Sequence, residues 1–157
     1  MLSPKSPEES KAEMTVRMFP SDANPAGNVF GGEILRHMDL IAGLVAQRHS
    51  RTNAVTASID RVNFLRPVFV GNALILNARL TYAHRSSMEI EITVEAEDLI
   101  TGKRTLTNTA YVTSVALGSD GKTAEVPPLK LETEEDKQKF VEGEQRMLQR
   151  LKERKKA

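Results

Sequence analysis

Between residues 74 and 117 the chain alternates. Leu74, Leu76, Ala78, Leu80 and Tyr82 share one parity, followed by Met88, Ile90, Ile92, Val94 and Ala96, while Glu89, Glu91, Glu95 and Glu97 take the other. A period of two sets the apolar residues on one face of a pleated strand and the glutamates on the opposite face. The run from Thr105 to Leu117 also alternates, and Thr101-Gly102 provides a hairpin turn between the last two runs. These strands share an apolar face that must be covered from above.

Only one upstream stretch has the period to cover it. In GGEILRHMDLIAGLVAQRH the apolar residues fall at 34, 35, 38, 41, 42 and 45, the offsets of one helical face. Ahead of it, Met14, Val16 and Met18 alternate over a short strand that stops at Pro20, and the turn formers from Ser21 to Asn28 lead into the helix. Behind it a further strand is expected near Asn53 to Phe64, with Pro67 and Gly71 separating it from the next. The order predicts one strand, one helix and a four-strand meander, an antiparallel α+β domain. One helix does not cover both faces of five strands, and free sheet edges invite pairing with other chains, so a homo-oligomer is expected.

A chain of 157 residues fits one domain, burying roughly 70% of its unfolded surface. Residues 1–12 are polar and rich in Pro, Ser and Glu, and read as a flexible, solvated arm; 13–126 hold the folded domain; 127–157 form a helical extension. That extension opens with a capping-box pattern, Thr133-Glu-Glu-Asp136, and runs from acidic to basic, as a helix dipole favours. Its apolar stripe of Phe140, Met147, Leu148 and Leu151 is thin, so it is expected to pack at an oligomer rim or to fray.

The stretch from Asn24 to Asp39 carries the chemistry. Gly31 and Gly32 stand where a helix leaves its first N–H groups unpaired, and a substrate oxygen could approach them without meeting a side chain. A carbonyl that gains negative charge under attack would be held there, as in an oxyanion hole. Two glycines serve a turn and close packing equally well. Asp39 lies in mid-helix, about 100° round from Met38 and beside Leu35, Ala42, Gly43 and Ala46. It could activate water or attack a carbonyl, or simply reach solvent or an arginine. The Asn24 amide could hold an oxygen, or Asn24 before Pro25 could form a turn.

The spacing Asn24-x-x-Gly27-x-x-Phe30-Gly31-Gly32-x-Ile34-Leu35-x-x-Met38-Asp39 resembles the signature of hot-dog acyl-CoA thioesterases, in the branch of bacterial short-chain and cytosolic brain-type acyl-CoA hydrolases. Asp60-Arg61-Val62-Asn63-Phe64-Leu65-Arg66-Pro67-Val68 with Gly71, and Arg85-Ser86-Ser87-Met88-Glu89-Ile90, continue the likeness, which covers roughly Met14 to Leu117. The resemblance implies a hot-dog fold, an antiparallel five-stranded sheet wrapped around a central helix. It implies hydrolysis of acyl-CoA to a free fatty acid and coenzyme A, with Asn24 and Asp39 as the catalytic pair contributed by the two halves of a dimer. Three such dimers commonly form a hexamer. Arg85, Ser86 and Ser87 resemble the segment that lies along the pantetheine and phosphates of coenzyme A, for which they are suitable donors.

Other chemistries lack their residues. There is no G-x-S-x-G for a serine hydrolase and no cysteine for a thiolate nucleophile, a disulfide or a zinc site. His37, His49 and His84 have no metal-ligand spacing, and no metal or separate cofactor is expected. A net charge of +1 from 22 basic and 21 acidic residues offers no field for nucleic acid or an anionic membrane. The opening residues lack the apolar core of a signal peptide, so a cytoplasmic location is expected. Two alternatives stand beside hydrolysis. An acyl-CoA-binding regulatory module would need a DNA-binding segment, for which the N-terminal arm has no room. A hot-dog dehydratase would need a catalytic histidine, and His37 lies too far along the wrong face of the helix.

Overall fold

The computed structural model describes residues 2–156. Its elements are β1 (Ala12–Arg17), α1 (Gly31–Ser50), β2 (Asn53–Ile59), β3 (Ala73–His84), β4 (Ser87–Glu97), β5 (Arg104–Leu117) and α2 (Glu134–Lys156). The strands form one sheet in the order β1-β3-β4-β5-β2, every pair antiparallel. The sheet curls about α1, which touches all five strands. Met38, Ile41, Ala42 and Val45 are completely buried on the inner face of the helix, against Leu76, Leu80, Ile90 and Val112 of the sheet. The strands and the helix are those that the alternation and the helical stripe predict, and the curl of the sheet about the helix is what the resemblance implies.

The four-strand meander is corrected. Only β3, β4 and β5 follow one another as neighbours; β2 lies beyond β5, pairing Asn53 with Leu117 and Ile59 with Val112. The reason is occupancy: β1 and β4 already take both edges of β3, leaving β5 as the free edge for β2. The second strand also ends at Ile59, short of Phe64, after a register shift between Thr56 and Ser58. Residues 60–72 are irregular, tied to the sheet by Asp60 N–H on the Tyr111 carbonyl (3.0 Å) and Leu65 N–H on the Thr107 carbonyl (2.9 Å).

The N-terminal segment is docked where a solvated arm was expected. Ser6, Pro7 and Ser10 are buried, and Lys5 bridges to Leu129. The Lys5 ammonium donates to the carbonyls of Arg48 (3.0 Å) and His49 (2.9 Å) at the end of α1, where backbone acceptors have no helical partner and the dipole favours a cation. Pro and Ser composition suggested solvation, but it is the helix end that holds this arm. His49 is fully buried beside it, with Nε2 2.7 Å from the Pro127 carbonyl. Burial drives its pKa below the ordinary histidine value, and the Pro127 contact offsets this only in part.

The C-terminal helix, expected to pack at an oligomer rim or to fray, lies on the outer face of its own sheet. Thr133 caps it as expected, its Oγ1 accepting from Asp136 N–H (3.0 Å) while the Asp136 carboxylate accepts from Thr133 N–H (3.3 Å). The glutamates of β4 receive it. Arg146 makes two hydrogen bonds to Glu89 (2.8 and 3.0 Å), Arg150 a third (2.5 Å), and Lys139 pairs with Glu91 (2.9 Å). The thin apolar stripe is supplemented by these charged contacts, with the Phe140 ring packed on Tyr82.

Gly143 lets the helix approach. A Cβ there would lie 2.8 Å from the Tyr82 Cβ and 3.0 Å from Glu89 Oε1. In a free helix Gly→Ala gains about 1 kcal/mol; here Gly143→Ala is expected to lower the melting temperature, because the new methyl must push α2 off the sheet. A higher melting temperature would remove Gly143 from this role. His49 gives a pH dependence. With its folded pKa lowered, the unfolded chain takes up a proton near pH 6.5 that the folded chain refuses, so stability falls as pH drops below that value. In urea unfolding at fixed protein concentration, His49→Gln should show a smaller loss between pH 7.5 and about 5.5 than the parent.

Candidate active site

The turn before α1 is built by Asn24. Its side-chain Oδ1 accepts from the N–H groups of Ala26 (3.0 Å) and Asn28 (3.2 Å), its own N–H reaches the Asn28 carbonyl (2.8 Å), and Gly27 takes a positive φ of 91° to close the loop. Asn24 is therefore a turn former through its oxygen. Its amide NH₂ makes no hydrogen bond among the described residues and stays available as a donor. From there Phe30 leads into the helix without a side-chain cap. The first N–H groups to bond backward are those of Glu33 and Ile34, both on the Phe30 carbonyl. The N–H groups of Gly31 and Gly32 have no acceptor among the described residues.

The two glycines are not equivalent. A Cβ on Gly31 would stand 3.3 Å from the Phe64 ring, whereas a Cβ on Gly32 would meet nothing within 4 Å. Packing explains the first. The second borders open space.

Asp39 is exposed on the side of α1 turned away from the core. The border position expected from the stripe becomes a second, outward face, where Leu40 and Leu44 are 51% and 39% exposed. Thr56 Oγ1 of β2 donates to Asp39 Oδ1 at 2.5 Å, fixing the carboxylate against the edge strand. Thr56 is a candidate that the sequence did not single out, since a threonine in an edge strand is ordinary; only the packing of β2 along α1 brings it to Asp39.

Arg85 and Ser86 are the two-residue turn between β3 and β4, and Ser87 begins β4. Arg85 sits at a φ of +55°. The carbonyls of Arg85 and Ser86 accept from Val126 (2.8 Å) and Ala116 (2.9 Å), so the turn is held by its backbone and its side chains are left free. They line a groove of about 640 Å³ that runs from Ala57 and Ser58, next to Thr56, across β5 to Met147, Leu151 and Arg154 of α2.

Within one chain these parts stay apart. Gly32 and Asp39 are seven residues apart in one helix, about 10 Å along its axis, and Gly31 is about 12 Å away. A reacting atom must come within roughly 3–3.5 Å of its target. A carbonyl held at the glycine N–H groups is therefore out of direct reach of the Asp39 of its own chain.

Residues 26–103 match the family model of the thioesterase superfamily. An uncharacterized acyl-CoA thioester hydrolase of Bacillus subtilis is 43% identical over 129 residues, covering 82% of this chain and 75% of the relative. The chain belongs to the thioesterase superfamily. The cytosolic acyl coenzyme A thioester hydrolase of Rattus norvegicus is 38% identical over 148 residues, 93% of this chain, although the chain spans only 39% of that longer relative. Among solved structures, a hexameric acyl-CoA thioesterase in its apo form superposes with a TM-score of 0.92 at 38% identity, covering 97% of both chains. The acyl-CoA hydrolase of Staphylococcus aureus, bound to butyryl coenzyme A, coenzyme A and coenzyme A disulfide, gives 0.89 at 35%, covering 97% of this chain and 93% of that one. Its alanine variants at an Asp, at an Asn fifteen residues before it and at a Thr seventeen residues after it share the fold, with TM-scores of 0.88 to 0.92.

The Thr56–Asp39 contact generates a test. Thr56→Val keeps the shape of the side chain and removes the hydrogen bond, so turnover of a thioester should fall by about tenfold, the effect of losing roughly 1.4 kcal/mol of positioning, with the melting temperature little changed. Wild-type turnover in the folded variant would leave Thr56 as an ordinary strand residue.

Proposed function

We infer that this chain hydrolyses acyl-CoA thioesters, in a site that two protomers assemble together. The observation that carries the shared site is the placement of Asp39. The carboxylate lies on the uncovered face of α1, while the free N–H donors of Gly31 and Gly32 lie two helical turns away. A second copy, related by a two-fold axis, would bring the donors of each chain to the carboxylate of the other, since a two-fold interface repeats every contact. It would also cover Leu40 and Leu44, for which a monomer has no use. The residue types and spacings support the same reading. Asn24, Asp39 and Thr56 stand fifteen and seventeen residues apart, as do the three residues changed in the Staphylococcus aureus variants.

In this reading the thioester oxygen accepts from the N–H of Gly32, with Gly31 and the Asn24 amide beside it. Asp39 of the other protomer removes a proton from water, whose oxygen adds to the carbonyl carbon, or its carboxylate attacks that carbon directly. Either path forms a tetrahedral oxyanion whose charge the N–H groups stabilise. The collapse of that intermediate breaks the C–S bond; the sulfur leaves as thiolate and takes up a proton, and the acyl group departs as the free acid. Direct attack adds one step, in which water cleaves an acyl-Asp39 anhydride. Thr56 holds the carboxylate in register throughout. Arg85, Ser86 and Ser87 bind the pantetheine and phosphates of coenzyme A. We read the assembly as a hexamer of three dimers, a cytoplasmic fatty acyl-CoA hydrolase without metal or separate cofactor, in keeping with the hexameric structure and the cytosolic rat relative it resembles.

Replacing Asp39 with Asn keeps the shape and removes the base, so kcat for acyl-CoA should fall by about 10²-fold or more. Thiol release at the wild-type rate would end the assignment. Complementation tests the sharing. Asn24→Ala and Asp39→Ala chains, each inactive alone, are unfolded and refolded together. Random pairing makes about half the dimers mixed, each with one intact site of two, so activity should return to roughly a quarter of wild type. Mixed oligomers that form by mass spectrometry yet stay inactive would place both residues in one chain.

A further inference from the structure

The C-terminal helix lies outside the matched family segment, at residues 134–156 against 26–103. Yet one of its side chains is joined to the donor end of α1. Arg150 makes a two-pronged contact with Asp60, Nε to Oδ1 at 2.8 Å and Nη2 to Oδ2 at 2.7 Å, while the same Nη2 touches Glu89. Asp60 is the first residue after β2 and opens the irregular 60–72 segment. Four residues on, the Phe64 ring lies against Gly31, at 3.3 Å from where its Cβ would be. One residue further, Leu65 is tied to β5. The stretch from Asp60 to Leu65 is thus pinned at both ends, and what it presents between them is the ring that packs on the first residue of α1.

We propose that Arg150 is a positioning residue of the active site: through Asp60 it sets the 60–65 segment, and with it the Phe64 ring against the Gly31 donor. The inference rests on the reading of Gly31 and Gly32 as carbonyl donors. Three facts separate it from simple docking of α2. First, docking already has Arg146 and Lys139, neither of which touches Asp60. Second, Glu89 is 2% exposed, and Arg146 and the Thr81 hydroxyl already donate to both of its oxygens, so the Arg150 contact to it is additional. Third, Asp60 is half-buried with its N–H on Tyr111, and Arg150 is the partner of both its carboxylate oxygens. A planar guanidinium held at both oxygens fixes orientation as well as distance, which an ammonium in its place does not. The donors of an oxyanion site need that fixity, since a displacement of about 1 Å at such a site can lower turnover by as much as 10²-fold.

Four variants of the full-length oligomer test this: Asp60→Asn, Arg150→Lys, their double, and Arg146→Gln as a control on α2 docking. Steady-state kinetics on an acyl-CoA, melting temperature and amide exchange of 61–66 are read for each. Asp60→Asn and Arg150→Lys should each lower kcat by about tenfold, with KM within about twofold, because donor geometry matters most in the transition state. The double should be no slower than the worse single, as expected for two residues acting through one contact. Exchange at 61–66 should quicken in all three. Arg146→Gln should lower the melting temperature while keeping kcat and slow exchange at 61–66. Wild-type kcat in Asp60→Asn overturns the proposal, and so does a parallel loss of kcat in Arg146→Gln, which would reduce Arg150 to helix docking. Gly32→Val, run alongside, separates the two levels: if it turns over normally, the donor reading itself fails; if it is inactive while Asp60→Asn is normal, only the positioning role fails.

Discussion

The structure depends on α1 having two apolar faces with different partners. The inner face, through Met38, Ile41, Ala42 and Val45, is closed by the curled sheet of its own chain. The outer face, with Leu40, Leu44 and Asp39, has no cover within that chain. Gly43, whose missing Cβ would touch nothing, lies among those outward residues. In the proposed shared site, placing the carboxylate on that face would join assembly to chemistry, because the surface that a second copy would cover also carries Asp39. Thr56 adds the third element, because the same edge strand that limits the sheet fixes the carboxylate.

The outer face of the sheet is organised by charge. Glu89 is nearly inaccessible, and taking a carboxylate out of water is unfavourable unless its oxygens are fully engaged. Thr81 and Arg146 engage both, and Arg150 adds a further contact. Arg146 also stacks 3.7 Å above the Tyr111 ring, while burial and the neighbouring Glu91 push the Tyr111 hydroxyl up to about 12. At the start of the helix, burial alone would raise the Asp136 pKa, but hydrogen bonds from Arg79 and from the Glu132 and Thr133 N–H groups hold it below the ordinary carboxylate value. These contacts orient α2 more than they glue it, since buried ion pairs set geometry well and add little net stability. The arrangement therefore lets a helix with a thin apolar stripe take a single position.

Much of this was legible along the chain. The period of two in β3, β4 and β5 named both faces of the sheet, and the offsets from Ile34 to Val45 named the buried side of α1. Thr133 and Asp136 announced the start of α2. Both signals are local, written in consecutive turns of backbone. The motif from Asn24 to Asp39 was legible as a set of residue types. What escaped was everything that depends on which surface meets which: the place of β2 beyond β5, the docking of residues 5–10 at the end of α1, the seat of α2, and the partnership of Thr56 with Asp39.

Sequence by itself determined the periodicities, the caps, the turn chemistry at Asn24 and Gly27, and the absence of side chains at Gly31 and Gly32, because each follows from covalent geometry and neighbours a few residues away. Tertiary structure alone decided that Thr56 meets Asp39, that Asp39 faces outward, and that Arg150 reaches Asp60 across ninety residues of chain. The physical reason is that burial and ion pairing are properties of surfaces brought together. A one-dimensional pattern records what each surface could accept, and packing selects which of those partners it meets.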